Sequence, residues 1–156
     1  MPGRWRVAEA QRTSASVSIS GDDLDPDDIS ALMGCAASRA ERRGQVLFVR
    51  GEGQPPRVAH RGLWRLQADE SRPGDLEAQI WQLLDALPQD PGLWRDLAAR
   101  FRVSLFCGVF MDFWNVGVIL SPGAMLALAE RGIRLDLDIY APPEGQDGVE
   151  AAGNGA

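Results

Sequence analysis

Residues 14–20 read Ser-Ala-Ser-Val-Ser-Ile-Ser, and this stretch decides how the rest of the chain is interpreted. Every second residue is apolar, which is the pattern of a strand with one buried face. Ala15, Val17 and Ile19 share that face, and the four serines share the other. The pattern therefore predicts a sheet that is covered on one side and open on the other.

Helices are predicted at three places where a capping residue directly precedes a proline. An aspartate or serine at the N-cap accepts a backbone N–H, and proline suits the first helical position. The longest predicted helix begins instead at residue 75 and ends before Pro88, with leucine and isoleucine at helical spacing between them. The three capping pairs are Asp25-Pro26, Asp90-Pro91 and Ser121-Pro122.

Apolar runs and alternation predict five further strands. The resulting order is β-α-β-β-α-β-β-α-β, which is ferredoxin-like with an extra β-α-β unit. We expect an α+β fold, a two-layer sandwich with a six-stranded mixed or antiparallel sheet and all helices on one face. In the last strand, Ile133, Leu135, Leu137 and Ile139 are predicted to face the helices. The five further strands are residues 44–51, 57–67, 102–111, 116–120 and 133–140.

The length of 156 residues and the ordinary composition are those of one domain. Residues 13–140 are predicted to form the folded body, residues 1–12 a flexible arm, and the Gly-, Pro- and Ala-rich residues 141–156 a disordered tail. No secretory signal or membrane span is visible, so we expect a cytoplasmic protein that does not bind membranes. A net charge of −6 without any lysine argues against a nucleic-acid partner.

The sequence predicts no catalytic, metal or cofactor site. His60 is the single histidine, and no ligand spacing groups it with Cys35 and Cys107, which we expect to be free thiols. The acidic residues 22–28 lack the glycine and glutamate of a calcium-binding loop, and helix capping explains them without an ion. Neither a GxSxG turn nor a phosphate-binding GxxxxGK[ST] loop is present.

Four separated segments resemble, in the same order, a bacterial family known as domain-of-unknown-function family 4279. The resemblance extends over about residues 14–140, which is nearly the whole predicted body. It implies a bacterial domain whose activity is not established, and it supplies no catalytic residue. The four segments are residues 18–29, 62–66, 105–108 and 135–140.

The candidate binding surface consists of aromatic and charged side chains that we assign to the open side of the sheet. In the strand at 102–111, Phe106 and Phe110 lie opposite the apolar face. Aromatic side chains beside arginine are enriched where proteins touch each other. The complete predicted surface is Trp64, Phe106, Phe110, Arg134, Asp136, Asp138 and Tyr140.

Three functions remain open at this point. We expect a non-enzymatic protein-interaction domain whose partner, another protein or a second copy of itself, binds the open face or an exposed edge. An immunity-type protein that neutralises a toxin is one form of this function. The first alternative is a small-ligand-binding domain with a pocket between Trp64, Phe106 and Phe110. The second is an enzyme that uses Asp136 and Asp138, two positions apart on one strand face, for acid–base chemistry.

Overall fold

A computed structural model describes residues 9–48, 51 and 53–142 and has the predicted α+β architecture. Residues 1–8 of the predicted arm and residues 143–156 of the predicted tail lie outside the described residues. The elements in chain order are β1 (Arg12–Gly21), α1 (Pro26–Met33), β2 (Arg39–Glu41), β3 (Val46–Phe48), β4 (Arg57–Val58), β5 (Gly62–Gln67), α2 (Leu76–Ala86), α3 (Pro91–Arg100), β6 (Arg102–Phe110), α4 (Pro122–Glu130) and β7 (Arg134–Tyr140).

The main sheet has five strands in the order β2-β5-β1-β6-β7, one fewer than the six predicted. β1 lies at the centre and pairs antiparallel with β5 and with β6, and β2 adds to the far side of β5. β6 and β7 are parallel, so the sheet is mixed. The ferredoxin-like description fits only roughly. The predicted order has a hairpin directly after the strand at 102–111, whereas the structure has the parallel pair of β6 and β7 at the edge of the sheet.

The helix starts follow from the capping residues, as predicted. The Asp25 side chain accepts the backbone N–H of Asp27 at 2.9 Å, and Pro26 begins α1. Gly34 ends this helix with a φ of 70°, a left-handed conformation that a Cβ disfavours. No described helix has the length and apolar character that crossing a membrane requires. Asp75, Asp90 and Ser121 cap α2, α3 and α4 in the same manner.

All four helices pack against one face of the main sheet. Ala15, Val17 and Ile19 of β1 are buried there, which confirms the predicted apolar face. Leu105 of β6 and Trp94 of α3 join them in a single core. The serines of β1 point to the other side of the sheet, where no helix lies among the described residues.

Two predicted strands are arranged differently in the structure. Of the described residues in this range, 44–48 and 51, those of β3 form a strand, and β3 pairs with β4 in a separate two-stranded sheet. The predicted strand 57–67 is divided between β4 and β5, because the backbone of Ala59 turns aside to bond Gly44 and Gln45 at 2.8 and 2.9 Å. The edge position beside β5 is taken by the short strand β2, which was not predicted.

Residues 116–120 do not form the predicted strand. A parallel pair such as β6 and β7 needs a long crossover connection, and residues 111–133 supply it together with α4. β6 is already paired with β1 along one edge and with β7 along the other, so residues 116–120 cannot pair with it.

Candidate interaction surface

The side of the main sheet that faces away from the helices carries the candidate surface, and we call it the open face. Pairing sets its side chains in rows across the strands: Ser16 of β1 lies beside Phe106 of β6, and Phe106 lies beside Asp136 of β7. Phe106 remains exposed in this row. The open face comprises Arg12, Ser14, Ser16, Ser18, Ser20, Arg39, Glu41, Leu63, Arg65, Gln67, Arg102, Ser104, Phe106, Phe110, Arg134, Asp136, Asp138 and Tyr140.

Three side chains form a layered stack at one end of the open face. The guanidinium of Arg12 lies 3.4 Å from the ring centroid of Phe110, and Phe110 stacks on Tyr140 with 4.5 Å between centroids and 4° between the ring planes. A cation over an aromatic face and two offset rings are both favourable arrangements. The stack therefore fixes the start of β1 and the ends of β6 and β7 relative to one another.

The two carboxylates of β7 have different partners. Asp136 accepts a hydrogen bond of 2.8 Å from Arg134, and an Arg102 nitrogen lies 3.9 Å away. Asp138 instead accepts a hydrogen bond of 2.9 Å from the Tyr140 hydroxyl. That hydrogen bond, with a smaller contribution from burial, raises the pKa of Tyr140. Asp136 and Asp138 are thus each hydrogen-bonded to a different side chain.

Trp64 does not belong to the open face, contrary to the predicted surface. It pairs with Ile19 of β1 and therefore points toward the helices, where its exposed fraction is 0%. Its indole N–H donates to the Ser30 hydroxyl of α1 at 3.0 Å. The sheet lies between Trp64 and the two phenylalanines, so the predicted ligand pocket between these three residues is not formed.

Three cavities of the structure lie away from the open-face aromatics. The first, about 440 Å³, opens at the start of α2 beside Asp75 and Glu77. The second, about 380 Å³, lies between α1 and Phe101, and the third, about 250 Å³, lies between β7 and residues 111–118. Phe106, Phe110, Asp136 and Asp138 line none of these three cavities.

Two acidic residues at the start of α1, Asp25 and Asp27, are paired with an arginine. Arg42 forms ion pairs with Asp25, at 2.6 Å, and with Asp27. The hydrogen bond from Arg42, together with the capping bond from the Asp27 backbone, lowers the pKa of Asp25. Within residues 9–48, 51 and 53–142, no three histidine, cysteine or acidic side chains come together as a metal site would require.

We expect the two free thiols to react in two separate steps. Cys107 of β6 is fully buried, and burial, with a smaller effect from the charge of Asp136, raises its pKa to about 12. Cys35 is half-buried and has a pKa raised by burial alone. Because the thiolate is the reactive form, a thiol reagent at about pH 8 should label Cys35 slowly and Cys107 only after unfolding.

The measurement is the absorbance of released thionitrobenzoate, with and without denaturant. Cys35→Ser should abolish the native-state reaction and leave the reaction in denaturant at half its amplitude. Rapid labelling of Cys107 in the native protein would contradict its placement in the core.

A second surface was not predicted from the sequence, and we call it the edge patch. Leu137 and Ile139 of β7 point to the helix side, as alternation predicts, but they are exposed rather than buried. Trp114, Val118 and Ile119 from the connection before α4 complete the patch and are exposed as well. The sequence signal that could have indicated this patch was the composition of residues 111–120, which are mostly apolar although they show no helix pattern.

Comparison with known proteins gives one match. The sequence profile of a family described as "Domain of unknown function (DUF4279)" matches residues 11–142. No curated protein and no solved structure gives a significant match. Because the matched range contains every strand and helix from β1 to β7, the chain belongs to the DUF4279 family.

Proposed function

We propose that this domain is a non-enzymatic protein-interaction domain that binds its partner through the open face. One observation carries the proposal: the helices cover only one side of the main sheet, and the other side presents exposed Phe106 and Tyr140 among arginines. Tyrosine and arginine are the side chains that most often dominate binding energy at protein interfaces. A face of this composition suits a folded protein partner with apolar and acidic groups.

Much of the open face is held in place before any partner arrives. Arg65 donates to the Ser18 hydroxyl at 2.9 Å, and Arg134 donates to Asp136 at 2.8 Å. Arg12 is fixed both by Phe110 and by an ion pair with Glu70. Side chains that are already ordered lose less conformational entropy on binding, which favours affinity. These arginine side chains of the open face are therefore already ordered before a partner binds.

The alternatives have less support. The ligand-binding hypothesis needs Trp64 beside Phe106 and Phe110, and Trp64 lies on the opposite side of the sheet. The enzymatic hypothesis needs Asp136 and Asp138 to share a reacting group, whereas they have separate partners on an exposed strand. We therefore propose a role without catalysis.

We place this domain in the bacterial cytoplasm, where the two free cysteines suit a reducing compartment. An immunity-type role is one form of the proposed function, in which the partner is a toxin.

Phe106→Arg is expected to reduce partner capture by about tenfold or more, because one interface anchor is commonly worth over 1.4 kcal/mol. The side chain is exposed, so the change leaves the core intact. The measurement is quantitative capture from a lysate of the native host, with equal amounts of folded bait. Leu126→Arg is the matched control, since Leu126 is exposed on α4 at the helix side of the sheet.

Three outcomes would contradict the proposal. Capture that is equal for Phe106→Arg and wild type would place the partner elsewhere. An equal loss with Leu126→Arg would indicate a general effect of added charge. Capture that disappears after nuclease treatment would assign the open face to nucleic acid instead of protein.

A further inference from the structure

The edge patch, formed by Trp114, Val118, Ile119, Leu137 and Ile139, lies on the helix side of the sheet, at its β7 edge. Trp114 is 88% exposed, Ile119 76% and Ile139 61%. Trp114 and Val118 line the cavity of about 250 Å³ together with Leu137 and Ile139, so these four residues are continuous across the connection and the strand. Ile119 follows Val118 in the chain and lines, with Val118, the neighbouring cavity at the start of α2. A contiguous exposed apolar patch of several large side chains marks an interaction site more often than single exposed apolar residues do.

The patch is uncovered because α4 is too short to cover β7. α4 has nine residues and is about 14 Å long, whereas the seven residues of β7 extend over about 23 Å. Ile133, just before β7, is buried beneath the end of α4, and exposure then rises along the strand to Ile139. The second half of β7 therefore lacks an intramolecular cover among the described residues.

The backbone of β7 is unpaired on its outer side as well. β7 is the last strand of the main sheet, and β6 is its only strand partner within the described chain. An exposed strand edge offers a row of N–H and C=O groups to another strand. β7 has neither a proline nor a lysine to discourage such pairing.

We propose that a second copy of this chain occupies the edge patch, with the two β7 strands pairing antiparallel across a two-fold axis into one ten-stranded sheet. The charges of β7 favour this occupant, because the strand is complementary to itself. When Asp136 faces Asp136 of the second copy, Arg134 faces Asp138 of that copy, and the same contact is made twice. On the helix side, Leu135 then faces Leu137 of the second copy.

This register contains one like-charge pair, and its neighbours compensate for it. Each Asp136 already accepts a hydrogen bond from Arg134 and lies 3.9 Å from an Arg102 nitrogen. The next register, with Leu137 facing Leu137, would set Asp136 against Asp138 twice and leave Arg134 facing Tyr140. Opposite charges directly across a strand pair stabilise it and like charges destabilise it, so the first register is preferred to this one. A register with Leu135 facing Leu135 also sets Arg134 against Asp136 twice, but only residues 134–136 of the two strands then overlap, whereas residues 134–138 overlap in the first register.

The available area fits a homodimer. From the side-chain areas of aromatic and aliphatic residues, the edge patch exposes on the order of 400–500 Å² of apolar surface. A standard interface takes about 800 Å² from each partner, and the β7 backbone with its polar side chains supplies the remainder. A two-fold contact of this kind is closed, so it ends at a dimer and does not propagate. This inference concerns the edge and the helix side, and it holds whether or not the open face binds a partner.

Sedimentation velocity of the full-length chain, from about 1 to about 300 µM, tests the proposal. We expect a monomer–dimer equilibrium, and we expect Ile139→Glu to raise the dimer dissociation constant by about tenfold or more. Leu32→Glu is the matched control, since Leu32 is an exposed leucine on α1 near the opposite end of the sheet. Circular dichroism confirms that each variant is folded.

A charge exchange tests the register. Asp138→Arg should weaken the dimer about tenfold, because it sets two arginines against each other. The double variant Arg134→Asp, Asp138→Arg should restore it, since the facing charges are again opposite. A double variant as weak as the single one would overturn the antiparallel register.

Other results would overturn the proposal as a whole. These are a wild-type chain that stays monomeric throughout, or a dimer that Phe106→Arg weakens and Ile139→Glu does not. A monomer that binds phosphatidylcholine vesicles through Ile139 would assign the edge patch to a lipid surface. Phe106→Arg leaves the edge patch intact. Failure of the dimer would therefore appear in the sedimentation of wild type and Ile139→Glu, and failure of the open-face function in partner capture by Phe106→Arg.

Discussion

Trp64→Ala is expected to lower the free energy of unfolding by about 3–5 kcal/mol, among the largest effects of any single substitution in this chain. Trp64 has an exposed fraction of 0%, and it packs in the core among β5, β1 and α1. The substitution leaves a cavity that rigid neighbours cannot fill. It also removes the 3.0 Å hydrogen bond to Ser30. Urea unfolding followed by circular dichroism measures the change.

Trp114→Ala is the matched control for this experiment. It removes the same side chain at a position that is 88% exposed in the monomer, so we expect a change within about 0.5 kcal/mol when unfolding is measured at a concentration where the chain is monomeric. Similar small costs at both positions would mean that Trp64 lies on the open face, where it was predicted from the sequence. The comparison therefore tests on which side of the sheet Trp64 lies.

Gly62→Ala is expected to destabilise the protein by about 3 kcal/mol or more, because the added methyl group has no space. A Cβ on Gly62 would lie 2.1 Å from the carbonyl oxygen of Leu24, and backbone atoms cannot move aside as the end of a flexible side chain can. The cost arises from the close approach of β5 to the segment before α1. Thermal and urea unfolding of the purified variant measure it.

Gly51→Ala provides the comparison for Gly62→Ala. A Cβ on Gly51 would meet nothing within 4 Å, so the same substitution should change stability by about 0.5 kcal/mol or less. If Gly62→Ala were equally mild, β5 would not approach Leu24 as closely as the structure has it.

Local features of the fold were predictable from the sequence because their causes are local. Asp25 and Pro26 start α1 through contacts within one turn, and the faces of β1 follow from alternation within the strand. Phe106 and Phe110 were assigned together to the open face for the same reason, and they lie there. Each of these statements needed only neighbours in the sequence.

The remaining features depend on distances that the sequence does not contain. Alternation established that Leu137 and Ile139 share a face of β7, but their exposure depends on how far α4 extends above them. Likewise, Trp64 and Leu66 share a face of β5, but only pairing with β1 decides which side of the sheet that face is on. Arg12 was assigned to the arm, so its stack on Phe110 was missed.

The central position of β1 also determines the order in which this chain can fold. Ser16 faces Gln67 of β5 on one side and Phe106 of β6 on the other, and Phe106 is 90 positions later in the chain (106 minus 16). Contacts at such separation require a long loop to close, which slows folding. During synthesis, a nascent chain must therefore carry Ala15, Val17 and Ile19 without their neighbours in β6 until Arg102–Phe110 has been made. We expect misassembly to be most frequent in that interval, when the central strand is complete and still lacks one of its two neighbouring strands.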